Sequence, residues 1–147
     1  MNLLSPVSSI MTKELITLNP DDALQKVKDI FESERIHHIP IVEDSKLSGL
    51  VSKSDYLFFC RTIDGKNVDR RLEKFRLSNY QVSDIMTKGI ATLSPDDKIN
   101  VALEIFKENI FHSIPVIDNN KVVGIVTPYD IIRTLSEDKQ ATNTYQS

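Results

Sequence analysis

The sequence of 147 residues lacks the features of a secreted or membrane-anchored protein. Its single cysteine, Cys60, cannot form a disulfide within the chain, so nothing indicates an oxidising compartment. The N-terminal residues have no basic start and no long apolar run, and we therefore expect neither a signal peptide nor a membrane anchor. A cytoplasmic location is the expectation.

An overall excess of positive charge is also absent. The chain carries 18 basic and 21 acidic residues, a net charge of −3, which disfavours nucleic acid as a partner because nucleic-acid binders usually present a basic face. One segment departs from this balance, since Arg61 to Arg76 contains six basic and three acidic residues. A solvated connecting helix is the simpler interpretation. The alternatives are the mouth of an anion site or a minor nucleic-acid contact.

Motifs of common catalytic sites are absent as well. The sequence has no Walker lysine loop, no nucleophile elbow and no His-Glu-x-x-His helix. Its three histidines are His37, His38 and His112, and the adjacent pair lies on or beside a predicted strand, where neighbouring side chains point to opposite faces. We therefore expect neither a metal site nor an enzyme.

What the sequence does contain is an internal repeat with a constant offset of 75 residues. Residues 7–55 and 82–130 align without a gap, and 20 of the 49 positions are identical. Such a duplication predicts two copies of one supersecondary unit. We place the first repeat at residues 1–62, a linker at 63–81, the second repeat at 82–136 and a polar C-terminal tail, expected to be disordered at its end, at 137–147.

Both repeats have the same predicted order of elements, β-α-β-β-α. A short apolar run at residues 15–18 and 90–93 predicts the first strand. Asn19 and Ser94, each followed by proline and two aspartates, predict helix N-caps, and apolar residues at helical spacing continue to Phe31 and Ile110. Two strands joined by a polar turn follow, at 39–42 and 47–51 in the first repeat and at 114–117 and 122–126 in the second.

A single unit of this kind exposes an apolar sheet face that it cannot bury alone. We therefore predict an α/β (α+β) fold in which two β-α-β-β-α repeats, related by a pseudo-twofold axis, pack through their sheets into one globular module.

Each repeat ends on the pattern Gly-x-x-Ser/Thr-x-x-Asp, read as "GLVSKSD" and "GIVTPYD". Ser52 and Thr127, followed three residues later by Asp55 and Asp130, have the form of a capping box, which would stabilise a helix by roughly 1 kcal/mol. Capping alone would explain one occurrence. Two copies, each at the same distance after "HHIPIV" or "HSIPVI", favour a matched pair of binding sites.

With "IMT", "NPDD" or "SPDD", His-x-Ile-Pro and Gly-x-x-Ser/Thr-x-x-Asp in this order, residues 7–134 resemble a tandem pair of CBS domains, the cystathionine β-synthase domains, also called a Bateman module, as a stand-alone protein. The resemblance implies a regulatory module that binds AMP, ADP, ATP or S-adenosylmethionine in clefts between the repeats and signals to an unidentified partner protein by conformational change. It also implies a disc-like homodimer that requires no cofactor. The alternative is a structural dimerisation or interaction module with vestigial clefts.

The resemblance further assigns residues to the two clefts. Asp55 and Asp130 would hold the ribose hydroxyls, and Ser52 and Thr127 would contact phosphate or ribose. The first cleft combines His37, His38, Ser52 and Asp55 with Ala91 and Thr92. The second cleft combines His112, Ser113, Thr127 and Asp130 with Ile16 and Thr17. Arg61, Arg70 and Arg71 are candidates for additional phosphate contacts.

The resemblance also implies that the two positions before each Ile-Pro pair contact phosphate. The sequence departs from the family at the second of these positions, which often carries arginine. Here that position holds His38 in the first repeat and Ser113 in the second. The departure weakens the expectation of a triphosphate ligand, above all in the second cleft.

Overall fold

Each repeat folds into a helix, an antiparallel hairpin and a second helix, as the computed structural model shows for residues 1–64 and 70–138. The first repeat contains α1 (Leu24–Ser33), β1 (His38–Glu43), β2 (Lys46–Ser52) and α2 (Lys53–Asp64), and α3 (Arg70–Asn79) follows in the connection. The second repeat contains α4 (Ile99–Lys107), β3 (Ile114–Asp118), β4 (Lys121–Val126) and α5 (Pro128–Glu137). The predicted mixed α/β class is confirmed. Parts of the predicted linker (65–69) and tail (139–147) lie outside the described residues.

The predicted first strand of each repeat is reduced to a single bridge. Leu18 pairs in parallel with Ile41, and Leu93 pairs in the same way with Val116. The amide of Leu18 donates to the Pro40 carbonyl at 3.2 Å, and the chain then turns at the next residue. This early turn leaves room for only one residue in register.

The first helix of each repeat begins at Leu24 or Ile99, so the prediction that Asn19 and Ser94 are N-caps was wrong. Asn19 instead closes a turn with Asp22, whose carboxylate accepts the Asn19 amide at 2.8 Å. The backbone carbonyl of Asp22 accepts from the amide of Val82 at 2.8 Å. The turn thus directs its carbonyls to another segment instead of starting the helix.

The second repeat contains the same turn, and its helix ends earlier than predicted. The Asp97 carboxylate accepts the Ser94 amide at 2.7 Å, and its carbonyl accepts from Val7 at 2.7 Å. Helix α4 ends at Lys107, where the predicted pattern continued to Ile110. Asn109 takes the left-handed conformation (φ 56°), which ends the helix and leaves Ile110 71% exposed.

Tight turns join the strands of both hairpins. Asp44 and Ser45 have φ values of 51° and 65°, and Asn119 and Asn120 have values of 48° and 64°. Two successive positive φ angles match the right-handed twist of the flanking strands. The strands, predicted at 39–42, 47–51, 114–117 and 122–126, form at these places, and no end differs from its predicted position by more than one residue.

The chain divides into two compact units that do not follow the order of the repeats. The first unit contains Met1–Glu14, Ala91–Asp118 and Val123–Ser147, and the second contains Leu15–Ile90 and Asn119–Val122. Each unit therefore combines the helices and all or most of the hairpin of one repeat with the "IMT" segment that opens the other. Thr12 bridges Ile125 in the first unit, and Thr87 bridges Leu50 in the second.

Each unit has its own apolar core. In the first, the buried residues are Val7, Ile10, Leu93, Ile99, Ala102, Ile114, Val116, Val126 and Ile131. In the second, they are Leu18, Leu24, Val27, Phe31, Ile39, Ile41, Val51, Tyr56, Leu77 and Val82. Burial raises the pKa of Tyr56 and keeps its hydroxyl neutral.

The strand glycines allow the "IMT" segments to approach. A Cβ placed on Gly49 would lie 2.9 Å from the Met86 sulfur and 2.9 Å from the Thr87 carbonyl oxygen. A Cβ on Gly124 would lie 2.5 Å from the Met11 sulfur. The repeated glycine is therefore required by the close approach of another backbone.

Gly49→Ala should lower the free energy of unfolding by roughly 1–3 kcal/mol, because the added methyl group overpacks a contact with backbone. Gly89→Ala is the matched control, since Gly89 has φ 67° but open space around its Cβ position. Asparagine tolerates that conformation, so Gly89→Asn should recover stability that Gly49→Asn does not. Urea unfolding of the four variants measures this, and a Gly49→Ala chain as stable as wild type contradicts the close contact.

The turn at Asp22 predicts a pH dependence of stability. Its hydrogen bond with Lys26 and, next, with the Asn19 amide hold the pKa of Asp22 below its ordinary value. A lowered pKa in the folded state stabilises the protein above the ordinary pKa of about 3.9, and this contribution is lost as the pH falls through the lowered value. Asp22→Asn should be less stable than wild type at pH 7, and the difference should vanish in acid.

Lys26→Met provides the control for this prediction. Because Lys26 is the largest cause of the lowered pKa, the effect of Asp22→Asn should shrink in its presence. Unfolding curves from pH 7 to pH 2 measure both effects. An effect of Asp22→Asn that does not change with pH would contradict the assignment.

Candidate functional site

The Gly-x-x-Thr-x-x-Asp motif of the second repeat places Asp130 at the start of α5. Thr127 is the N-cap and Pro128 the first helical residue, as predicted. One Asp130 carboxylate oxygen, Oδ2, accepts from the Thr127 amide at 2.8 Å and from its hydroxyl at 3.0 Å. The other, Oδ1, accepts from the Thr12 hydroxyl at 2.9 Å and from Nη2 of Arg133 at 3.2 Å. Asp130 is only 2% exposed, so its charge is buried but fully paired.

The equivalent motif of the first repeat is more open. The Ser52 hydroxyl accepts the Asp55 amide at 3.0 Å, which confirms the predicted cap of α2. The Asp55 carboxylate accepts from the Thr87 hydroxyl at 3.3 Å, and the side chain is half-buried. Three residues later stands Phe58, 68% exposed, at the position that Arg133 occupies in the second repeat.

The residue directly before each Ile-Pro pair is also more buried in the second repeat than in the first. His37 and His112 are both exposed. His38 is half-buried and pairs with Ser52 across the β1–β2 hairpin. Its counterpart Ser113 is 1% exposed, and its hydroxyl has no hydrogen-bond partner among the described residues. A buried hydroxyl without a partner costs roughly 1–3 kcal/mol.

Two polar residues of this region were missed in the sequence. Thr12 and Thr87 end the two "IMT" segments, and each donates its hydroxyl to an aspartate of the other repeat's motif, at Asp130 and Asp55. Their identity under the 75-residue offset was a signal that could have identified them. Arg133 gave no such signal, because its counterpart is phenylalanine.

The predicted site residues divide between the two units. His37, His38, Ser52 and Asp55 belong to the second unit, and His112, Ser113, Thr127 and Asp130 belong to the first. The half-buried Ile16 and exposed Thr17 lie in the second unit, and the half-buried Ala91 and exposed Thr92 lie in the first. The two predicted clefts each combine residues of both units, and these combinations stay predictions.

The basic residues proposed as phosphate contacts lie on exposed helix surfaces. Arg61 is in the last turn of α2, and Arg70 and Arg71 begin α3. Arg70 lines an open groove of about 590 Å³ together with Gln25, Lys28, Glu73, Lys74 and Leu77. Lys28 pairs with Glu73 there at 3.3 Å. A role of the three arginines in phosphate binding stays a prediction.

Within 1–64 and 70–138, no group of three or more His, Cys, Asp or Glu side chains converges as a metal site. No helix in these ranges combines the length and apolar character that crossing a membrane requires.

Comparison with known proteins identifies a family. The family model described as "CBS domain" matches residues 7–61 and again residues 82–137. The uncharacterised protein MJ1232 of Methanocaldococcus jannaschii is 33% identical over 131 residues, which cover 88% of this chain and 39% of that protein. The chain spans less than half the length of this and the next curated relatives that it matches.

Solved structures share the fold. CBSX2 from Arabidopsis thaliana matches with a TM-score of 0.76 and 22% identity, over 95% of this chain and 99% of that chain. The CBS domain pair of protein MJ0100, solved with 5′-methylthioadenosine and S-adenosyl-L-methionine, matches with a TM-score of 0.68 and 28% identity, over 90% and 97% of the two chains.

The unequal pairing of the two aspartates predicts unequal effects on stability. Asp130→Asn should lower the free energy of unfolding by roughly 1.5–3 kcal/mol, because it removes a buried acceptor of charge-assisted hydrogen bonds. The matched variant Asp55→Asn should cost less than about 1 kcal/mol, since Asp55 is half-buried and its carboxylate accepts one long hydrogen bond from the described residues. Urea unfolding measures both, and equal losses contradict the difference.

Proposed function

The chain belongs to the CBS domain family, and from this premise we propose that it is a regulatory module that binds adenosine-containing nucleotides and signals to a partner protein through a change of conformation. The observation that carries the proposal is the partly exposed carboxylate of Asp55 at the start of α2, beside Ser52. A carboxylate can accept hydrogen bonds from both hydroxyls of a ribose, and such charge-assisted bonds distinguish ribose from deoxyribose.

The surroundings of Asp55 also suit a phosphate. Helix α2 begins at Lys53, and the N-terminal end of a helix favours negative charge. The His37 side chain is exposed. His37 also lies beside the start of α2, because its backbone carbonyl accepts the Lys53 amide at 2.8 Å. Histidine can donate to phosphate whether it is neutral or charged.

Solved structures of similar proteins provide further support for this proposal. The MJ0100 pair was solved with two adenosine compounds, 5′-methylthioadenosine and S-adenosyl-L-methionine. Adenine and a ribose ring with free 2′ and 3′ hydroxyls are the parts that these compounds share with AMP, ADP and ATP. We therefore propose adenosine as the recognised group, and the lack of an arginine at His38 and Ser113 favours ligands with fewer phosphates than ATP.

Regulation requires a second conformation of the module and a partner protein that distinguishes the two conformations. A ligand can shift a conformational equilibrium only by its difference in affinity for the two states. We propose a cytoplasmic, disc-like homodimer as the form that responds. Exposed apolar side chains on α5, at Tyr129, Ile132 and Leu135, support such an association because single helices rarely expose a stripe of this kind.

The alternative function is a dimerisation or interaction module with vestigial clefts. The pairing of Asp130 favours it in part, since that carboxylate is occupied by contacts within the protein. Under this alternative neither aspartate would contribute to ligand binding.

Thermal unfolding with millimolar AMP, ADP, ATP or S-adenosylmethionine separates the two functions. A ligand at about 100 times its dissociation constant stabilises the folded state by roughly 2.7 kcal/mol, which should raise the midpoint by roughly 5–10 °C for a chain of this size. GMP and 2′-deoxy-AMP should raise it less. Asp55→Asn should abolish the rise, and the neighbouring exposed variant Ser54→Ala should retain it.

No rise with any adenosine compound would support the vestigial module. A rise that persists in full in Asp55→Asn would show that the ligand binds elsewhere.

A further inference from the structure

The two copies of the motif differ in how much of each carboxylate remains available. We define half-site 1 as His38, Ser52 and Asp55, and half-site 2 as the equivalent Ser113, Thr127 and Asp130. All three residues of half-site 1 are half-buried, whereas Ser113 and Asp130 are almost completely buried. The two aspartates hold equivalent positions in the motif, so the difference between them comes from the residues around them.

Arg133 is the residue that distinguishes half-site 2. It lies one turn after Asp130 on α5, and its Nη2 donates to Oδ1 of Asp130 at 3.2 Å. Residues three apart on a helix lie on the same face, so position 58 is the equivalent neighbour of Asp55 on α2. That position holds Phe58, which cannot donate a hydrogen bond to a carboxylate.

The acceptor capacity of Asp130 is therefore used within the protein. A carboxylate offers about four lone-pair sites, and four donor contacts reach Asp130, from Thr12, from Arg133 and twice from Thr127. These contacts leave no site for a ribose hydroxyl, and departure of Arg133 would free one on Oδ1. Among the described residues, the Asp55 carboxylate accepts one hydrogen bond, from the Thr87 hydroxyl at 3.3 Å, and Asp55 is partly exposed.

We propose that Arg133 is a latch that holds half-site 2 closed, so that one adenosine ligand binds per chain, at half-site 1. The proposal rests on the proposed function, since it concerns the same ligand class. Ligand reaches Asp130 only after the Arg133 guanidinium leaves. Arg133 itself is partly exposed, so it can rotate into solvent without unfolding α5.

The buried Ser113 hydroxyl is a second, independent sign of closure. It lies in half-site 2 without a hydrogen-bond partner among the described residues, whereas its counterpart His38 is partly exposed. Opening of half-site 2 would give this hydroxyl access to a ligand or to water. The latch therefore closes a half-site that still contains an unused polar group.

Closure reduces apparent affinity by the fraction of molecules that are open. If the Arg133 contact holds the open fraction near one in ten, half-site 2 binds roughly tenfold more weakly than it does without the latch, and tenfold corresponds to about 1.4 kcal/mol. The same contact built at half-site 1 should weaken that site by a similar factor.

Reciprocal exchange of the two equivalent residues tests the latch. Isothermal titration calorimetry with AMP, and in a parallel series with S-adenosylmethionine, measures the number of sites per chain. Wild type should bind one ligand, and Asp55→Asn should remove it. Arg133→Phe should add a second site or strengthen a weak one by roughly tenfold, and Arg133→Phe combined with Asp130→Asn should lose that gain. Phe58→Arg should weaken half-site 1.

A readout without ligand accompanies the titrations. NMR of arginine side chains should show restricted rotation of the Arg133 guanidinium in wild type, and free rotation in Asp130→Asn. Arg133→Lys is the control that retains the charge but not the planar donor group, and it should fall between wild type and Arg133→Phe in the titration.

The outcomes separate the latch from the function on which it rests. Two equal sites in wild type, or no gain in Arg133→Phe, would overturn the latch while leaving nucleotide binding intact. Weaker binding in Arg133→Phe would show that Arg133 contacts the ligand, which also overturns the latch. Absence of binding in wild type and in Arg133→Phe alike would overturn the proposed function and the latch together, and binding by Arg133→Phe alone would overturn the assignment of the wild-type ligand to half-site 1.

Discussion

The contact between a Met-Thr segment and a strand glycine is the constraint on which both halves of this structure depend. At Gly49 and at Gly124 there is no space for a Cβ, because the sulfur and the backbone of the "IMT" segment that opens the other repeat lie against the strand. This approach allows Thr87 to pair with Leu50 and Thr12 with Ile125. It also brings the two threonine hydroxyls to the motif aspartates, Asp55 and Asp130.

The same backbone arrangement supports two chemically different sites. Both repeats cap their last helix through Ser52 or Thr127. The neighbouring donors differ: Thr127 and Arg133 donate to Asp130, whereas the position equivalent to Arg133 in the first repeat holds Phe58, which has no donor. A duplicated fold thus preserves the position of the aspartate, while the donors around its carboxylate differ between the repeats.

Local patterns predicted the elements well wherever the element depended on its own residues. The two hairpins follow from alternating apolar residues between polar turns, and α5 begins at Thr127 and Pro128 as its capping box indicates. The predictions failed at Asn19 and Ser94, which have the composition of N-caps. Their turns bind the amides of Val82 and Val7, which are distant in sequence, and no local pattern contains that information.

The sequence by itself determined the duplication, the family and the mixed α/β class. It also determined the four motif residues, which are Ser52, Asp55, Thr127 and Asp130, because all of these depend on composition and spacing within each repeat. Only the tertiary structure decided that the "IMT" segment of each repeat packs in the unit that contains the helices of the other repeat. It also decided that Asp130 is buried while Asp55 is partly exposed. The physical reason is that burial and hydrogen bonding of a carboxylate depend on the donors that surround it in space. Thr12 is 118 residues away from Asp130 along the chain, yet its hydroxyl lies 2.9 Å from the Asp130 carboxylate.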